Sequence, residues 1–101
     1  LQHFHVPVCA HCGGILQPDV IFFGDNIPAE RTAAALAMME QADALLVVGS
    51  SLMVFSGYRF CKLAAAAGKP IAAINLGKTR ADDLIGLKIE AAAAEVLPRL
   101  V

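Results

Sequence analysis

A chain of 101 residues allows one small domain at most. Its formal net charge of −1, without a basic cluster, argues against nucleic acid as the main ligand. No apolar stretch approaches the ~18–20 residues that a membrane span needs, so no membrane partner is expected.

Hydrophobic residues make up 57% of the chain, which is high for a soluble domain. This excess predicts that the chain packs against further protein. The sequence begins at Leu1 without an initiator methionine and shows no signal peptide. We therefore interpret it as a fragment that lacks the N-terminal half of its domain. Three cysteines do not make a disulfide scaffold and favour a reducing, intracellular setting.

Cys9 and Cys12 form a Cys-x-x-Cys motif that two glycines follow. Two thiolates at this spacing can face one metal ion, and the glycines allow backbone amides to point at sulfur. Structural zinc takes four ligands, so the motif predicts half of a zinc site, with two further ligands upstream. His3, His5 and His11 are possible substitutes for those ligands. A redox dithiol and an incidental pair remain alternatives.

Residues 20–23 form a short β-prone run that ends at Gly24 and Asp25. An exposed backbone edge beside Asp25 could accept an extended peptide as an added strand. The alternative is that the phenylalanines of this run belong to the core. A helix is predicted to start at Pro28 and to continue through the good helix formers of residues 29–41.

Residues 44–48 are apolar without polar alternation, which is typical of a parallel strand covered on both faces. The strand leads into a turn of small residues, Gly49, Ser50 and Ser51. Ligands of open α/β sheets bind outside the carboxyl ends of strands, so this turn is a candidate nucleotide site. An ordinary turn between a strand and a helix would also use small residues.

A second helix is predicted over residues 57–67, ended by Gly68, with Cys61 as a core or helix-face residue. Residues 70–74 then form another buried strand, which ends in Asn75, Leu76 and Gly77. Two neighbouring strand ends that present hydroxyls, an amide and backbone N–H groups suit a ribose and phosphates. The G-x-G-x-x-G and P-loop motifs are absent, so the nucleotide site rests on this pattern.

The remaining elements are a short strand over residues 87–89 and a last helix over residues 91–100. The alternation of helices and strands indicates an α/β fold with a parallel sheet. Only three strands can be counted, whereas sheets commonly have about five or six. No histidine lies near a strand end, and no Ser–His–Asp or Cys–His arrangement fits the spacings, so no general base is identified.

These motifs resemble, in order and over nearly the whole chain, the C-terminal portion of a sirtuin, one of the NAD-dependent protein deacylases. The matching segments are CAHCGG (9–14), QPDVIFFGDNIP (17–28), VGSSL (48–52), INLG (74–77) and AEVLP (94–98). Residues 53–60 and 79–83 look like the class II branch, which includes the mitochondrial lipoamidase/ADP-ribosyltransferase type and bacterial relatives. Most other sirtuins have proline where Ser56 stands.

The resemblance implies the C-terminal half of a Rossmann-like NAD-binding fold (residues 20–101) joined to the remnant of a small zinc-binding lobe (residues 1–19). It implies NAD and zinc as cofactors and an acylated-lysine protein or peptide as substrate. The implied localisation is a bacterial cytoplasm or the mitochondrial matrix. The site residues implied are Cys9 and Cys12 for zinc; Gly49, Ser50, Ser51, Asn75, Leu76, Gly77 and Ala93 for NAD; and Ile21, Phe23, Gly24, Asp25 and Val54 for the peptide.

The implied reaction is attack of the acyl oxygen on the nicotinamide-bearing ribose carbon, which gives nicotinamide, free lysine and an O-acyl-ADP-ribose. Acyl-chain preference would depend on tunnel residues from both halves of the protein, of which this chain contributes Ile21, Phe23 and Val54, with Tyr58 and Arg59 as further candidates. The family's glycine-rich phosphate loop, its Gln-Asn pair and its catalytic histidine precede the zinc site and have no counterpart here, so residues 1–101 alone are expected to be inactive. A non-catalytic nucleotide-binding module and a zinc-dependent interaction module are the alternatives.

Overall fold

The computed structural model describes residues 6–22 and 24–100, in which helices and strands alternate much as the sequence predicts. The elements are α1 (Ala29–Gln41), β1 (Leu45–Val48), α2 (Phe55–Ala66), β2 (Ile71–Ile74), β3 (Leu87–Ile89), α3 (Ala93–Val96) and a 3₁₀ turn (Leu97–Arg99).

The three strands form one parallel sheet in the order β1-β2-β3. Leu45 of β1 lies opposite Ile71 of β2, and Ala72 of β2 lies opposite Leu87 of β3. Parallel pairing requires a crossover between the strands, and α2 supplies it between β1 and β2. The prediction of an α/β fold with a parallel sheet is confirmed.

The main buried cluster joins α1, α2, β1 and β2, while Ile74 of β2 is buried outside that cluster. The buried residues of the cluster are Met39 of α1, Val47 of β1, Cys61 and Ala64 of α2, Ile71 and Ala73 of β2, with Leu52 and Ala81 from loops. Cys61 is fully buried, as predicted, and burial raises the pKa of its thiol. Lys69 ties α1 to this core, because its ammonium donates to the Met39 and Glu40 carbonyls at 2.7 Å each, at the end of α1 where carbonyls lack helical partners.

The opposite face of β1 is uncovered within the described residues. Leu46 and Val48 alternate with the buried Val47 and are 52% and 38% exposed. The chain exposes 7937 Å² and has a radius of gyration of 17.7 Å, against about 5,500 Å² and about 13 Å for a compact protein of its mass. No helix in the described part of the chain has the length and apolar character that crossing a bilayer requires.

Three of the predicted elements differ from the structure by more than one residue. Residues 20–22 belong to no strand, and Phe23 lies outside the described residues. Helix α2 begins at Phe55 rather than at residue 57. The predicted helix over residues 91–100 is a single α-turn followed by a 3₁₀ turn, because Pro98 has no N–H to continue the helical ladder.

A polar cluster holds the loop between β2 and β3 against the sheet. The Asp82 carboxylate accepts hydrogen bonds from the Thr79 amide at 3.1 Å and the Thr79 hydroxyl at 2.6 Å. The Lys88 ammonium of β3 lies 2.9 Å from the same carboxylate. The Thr79 hydroxyl and then Lys88 favour the ionised carboxylate and lower the pKa of Asp82 to about 2.

Replacement of this carboxylate is predicted to reduce stability in a pH-dependent way. The folded-state pKa of Asp82, about 2, lies below the ordinary value of 3.8, so its contribution is fully present above pH 3.8 and disappears as pH falls towards 2. Asp82→Asn should therefore lower the free energy of unfolding at pH 7 and differ little from the parent near pH 2. Urea denaturation followed by circular dichroism at several pH values measures this difference. A gap that stayed constant from pH 7 to pH 2 would show that ionisation of Asp82 is irrelevant.

Candidate functional site

The carboxyl ends of β1 and β2 lie side by side at one edge of the sheet. The Gly49 amide donates to the Ile74 carbonyl at 2.9 Å, directly after the last register pair of the two strands. The Asn75 amide donates to the Ile89 carbonyl at 3.1 Å, which joins the end of β2 to the end of β3. The turns that begin at Gly49 and Asn75 therefore share one edge, as the sequence predicts.

The turn after β1 adopts two left-handed backbone conformations. Gly49 has φ of 60°, which glycine adopts without steric cost, whereas Leu52 has φ of 56°, which is unusual for a bulky residue. Two interactions hold Leu52 there: its side chain is buried in the core, and its amide donates to the Ser50 hydroxyl oxygen at 3.2 Å. Such strained backbone occurs often at ligand-binding sites.

Arg80, from the loop after β2, holds this turn in place. Its amide donates to the Ser51 carbonyl at 2.8 Å, and its guanidinium donates to the Met53 carbonyl at 3.0 Å. The guanidinium also lies 4.5 Å from the centre of the Tyr58 ring. Tyr58 therefore supports this loop and is not among the residues that line the larger cleft described below.

The other residues predicted to bind NAD lie at the same edge of the sheet. The Asn75 side-chain amide donates to the Gly77 carbonyl at 2.9 Å and closes a tight turn, in which Leu76 is exposed. Ala93 is the first residue of α3 and follows the last residue of β3, Ile89, by four positions. The structure thus brings the predicted set to one edge, and its role in binding NAD stays a prediction.

A cleft of about 720 Å³ lies beside this edge. It brings Ile21, Gly24 and Asp25 together with Val54, as predicted for the peptide site; Phe23 falls outside the described residues. Asp25 holds its own turn, because its amide donates to the Phe22 carbonyl at 3.1 Å and its carboxylate accepts the Phe22 amide at 3.3 Å. The full lining is Val20, Ile21, Phe22, Gly24, Asp25, Asn26, Ile27, Thr32, Val54, Ser56 and Arg59.

A smaller cleft of about 260 Å³ lies along the turn after β1 and is lined by Ser50, Ser51, Leu52, Met53, Val54, Ser56 and Gly57. Val54 and Ser56 line both clefts, so the two are neighbours across the start of α2. Sequence reasoning missed Thr32 and Ser56. The signal for Ser56 was its position three residues before Arg59, since residues at that spacing share a helix face.

The Cys-x-x-Cys segment folds as a tight turn. The Cys9 amide donates to the Gly14 carbonyl at 2.8 Å, and the Gly13 amide donates back to the Cys9 carbonyl at 2.9 Å. The amides of Cys12 and His11 donate to the Cys9 sulfur and lower the pKa of its thiol, together with the Cys12 thiol. Amides directed at sulfur favour the thiolate, the form that binds metal.

These two thiols fit one half of a four-ligand zinc site. Residues 6–22 and 24–100 contain no group of three or more cysteine, histidine or acidic side chains placed to hold a metal ion. His3 and His5, considered from the sequence as substitute ligands, lie outside the described residues. Two further ligands must therefore come from elsewhere if these thiols hold zinc.

The chain is similar in sequence to one family of known proteins. The model of the Sir2 family matches residues 1–56. An NAD-dependent protein deacetylase of Xanthomonas campestris is 60% identical over 96 residues, which are 95% of this chain and 33% of the relative. An NAD-dependent protein deacetylase of Bordetella pertussis is 60% identical over 100 residues, 99% of this chain and 36% of the relative.

Solved structures agree with the sequence relatives. A Sir2 protein with a p53 peptide and NAD⁺ superposes with a TM-score of 0.76 at 29% identity, over 98% of this chain and 41% of that one. A Sir2 protein bound to an acetylated peptide gives the same TM-score and identity, over 98% of this chain and 42% of that one. The chain spans about a third of the length of the curated relatives it matches.

The left-handed turn at Gly49 yields a test with a matched control. A Cβ at Gly49 or at Gly77 would meet no atom within 4 Å, but only Gly49 has a positive φ. Gly49→Ala should therefore lower the free energy of unfolding by about 1–2 kcal/mol through backbone strain alone. Gly77→Ala should change it by less than about 0.5 kcal/mol. Urea denaturation of both variants measures the difference, and equal effects would contradict the strained turn.

Proposed function

The chain belongs to the Sir2 family, and from this premise we propose that it forms part of an NAD-dependent protein-lysine deacylase. The observation that carries the proposal is the junction of two clefts at Val54 and Ser56. One cleft runs along the strand ends expected to bind a dinucleotide, and the other lies against the backbone edge expected to bind a peptide. A reaction between a nucleotide and an acylated side chain needs its two substrates to meet at such a junction.

The nucleotide side supplies small residues and exposed polar groups. Gly49, Ser50 and Ser51 offer backbone N–H groups and hydroxyls to phosphates, without side chains that would obstruct close approach. Asn75, with the turn through Gly77, would hold a ribose hydroxyl. Ala93 would lie beside the adenine ring, where its small side chain leaves room. When bound, NAD supplies the ribose carbon that the acyl oxygen attacks.

The peptide side supplies a free backbone edge and an apolar wall. Residues 20–22 pair with no strand of the described part of the chain. The Val20 amide already donates to the Pro18 carbonyl and the Phe22 amide to the Asp25 carboxylate, so an extended peptide would pair chiefly with the backbone of Ile21. Ile21 and Val54 would flank the acyl-lysine side chain. Gly24, with φ of 96°, and Asp25 close the turn at the end of this edge.

The remainder of the enzyme would come from further protein. This chain spans about a third of its relatives, and we propose that the rest supplies the catalytic histidine and the second wall of the NAD site. The same part would cover Leu46 and Val48, because parallel sheets are normally covered on both faces. Residues 1–101 alone are accordingly expected to be inactive.

We further propose that Cys9 and Cys12 hold a structural zinc ion with two ligands from that missing part. The hydrogen bonds to the Cys9 sulfur support this proposal, since they stabilise the thiolate. Zinc would hold the turn of residues 9–14 against a partner segment and would take no part in the chemistry. Reduced thiols persist in a bacterial cytoplasm or a mitochondrial matrix, which is where we place the protein.

Asn75→Ala tests the nucleotide site. In the intact protein, loss of the amide should raise the KM for NAD about three- to tenfold, the factor that one hydrogen bond is worth. Asn26→Ala makes the same change in the peptide cleft and should raise the KM for the peptide instead. Nicotinamide release from an acetyl-lysine peptide measures both. An unchanged KM for NAD in Asn75→Ala would contradict the assignment of Asn75. Release of nicotinamide by residues 1–101 alone would contradict the proposal that further protein supplies the catalytic histidine.

Cysteine variants test the zinc site. Cys9→Ser and Cys12→Ser should each reduce bound zinc in the intact protein from about one ion per chain to well below half, because structural zinc needs all four ligands. Cys61→Ala removes the third, buried cysteine and should leave zinc content unchanged. Metal analysis after exhaustive dialysis supplies the measurement. Full zinc content in Cys9→Ser would refute this part of the proposal.

A further inference from the structure

Arg59 is the only cation among the described residues that line the 720 Å³ cleft. It lies on α2, one helical turn after Ser56, which lines both clefts. The surrounding wall is largely aliphatic and aromatic, with Val20, Ile21, Phe22, Ile27 and Val54. A guanidinium in an apolar wall is costly unless a ligand or a neighbouring group accepts its hydrogen bonds.

The described residues leave Arg59 incompletely paired. Its Nε is buried and has no hydrogen-bond partner among them. The ion pairs that the described part of the chain forms are Arg31 with Asp19 and Lys88 with Asp82, and neither includes Arg59. The other charged residue of the cleft, Asp25, uses its carboxylate to accept the Phe22 amide. Buried donors in folded proteins are nearly always satisfied, so an acceptor is expected here.

The position of the guanidinium suits a planar anion. Its central carbon lies 5.1 Å from the centre of the Phe60 ring, a contact that holds one face of the group. The N–H donors of arginine lie in the guanidinium plane and form a fork that matches a carboxylate. A carboxylate from the cleft could therefore bind without displacing the aromatic contact.

We propose that Arg59 selects substrates that carry a carboxylate close to the acylated lysine. This inference rests on the proposed function and names the substrate class of the same site. The carboxylate has two possible sources: the end of a dicarboxylic acyl chain, or an acidic side chain next to the lysine in the peptide. Both would bring to the guanidinium a planar carboxylate that can accept two of its hydrogen bonds.

The test compares matched peptides in the intact enzyme. One pair carries glutaryl-lysine or its carboxamide isostere; the other carries acetyl-lysine flanked by Glu or by Gln. In the wild-type protein, kcat/KM should be at least about tenfold higher for the carboxylate member of one pair, as expected for a charge-assisted hydrogen bond in a partly buried site. The pair that shows the preference identifies the source. Equal values within both pairs would overturn the inference without any variant.

Substitution then assigns the preference to this residue. Arg59→Met should reduce the preferred ratio to about one, and Arg59→Lys, which keeps the charge but loses the fork, should give an intermediate ratio. Lys62→Met removes one positive charge from the exposed side of the same helix and should preserve the wild-type ratio. The assignment would be overturned if the ratio of kcat/KM between the carboxylate peptide and its neutral partner stayed at the wild-type value in Arg59→Met. An equal fall of kcat/KM for both peptides of a pair leaves that ratio unchanged and counts as the same result. If Arg59→Met does not fold, the ratio measured for Arg59→Lys provides the test instead.

The two proposals fail in different ways. If no peptide of either pair yields nicotinamide in the presence of NAD, the proposed function fails and the inference fails with it. If the neutral peptides are deacylated but the carboxylates confer no advantage, the function stands and only the inference fails. In that case the acceptor for Arg59 belongs to the enzyme itself.

Discussion

The parallel pairing of β1 with β2 is the constraint on which the rest of this structure depends. Because both strands run in the same direction, their carboxyl ends meet at one edge, and the Gly49 and Asn75 turns leave the sheet together. An antiparallel pairing of the same residues would separate those turns by the length of a strand. The candidate nucleotide crevice is thus a consequence of strand direction, and strand direction follows from the crossover through α2.

The turn after β1 leads directly into the residues that line both clefts. Leu52 keeps an unfavourable backbone conformation because its side chain is anchored in the core and Arg80 binds the carbonyls on either side of it. The chain then enters α2 through Val54 and Ser56, which line both clefts. A displacement of this turn would alter the lining of both clefts together.

The uncovered face of β1 explains why the chain is so apolar. Its strand residues follow the uninterrupted apolar pattern of a doubly covered parallel strand, yet within the described residues helices cover one face only. The apolar pattern of β1 therefore exceeds what the described residues bury. Leu46 and Val48 stay exposed, and the curated relatives that the chain matches are about three times its length.

Local signals in the sequence determined the three strands, the first helix, the glycine-rich turn after Cys9 and Cys12, and the gathering of polar residues after β1 and β2. Apolar runs, glycines and prolines act over a few residues, and the parallel-sheet rule then places strand ends together. Only the tertiary structure decided the left-handed Leu52, the support of that turn by Arg80, and the entry of Thr32 into the cleft wall. These features depend on contacts between residues far apart in the chain, such as the hydrogen bond from Arg80 to Met53, 27 residues away, which no local pattern encodes.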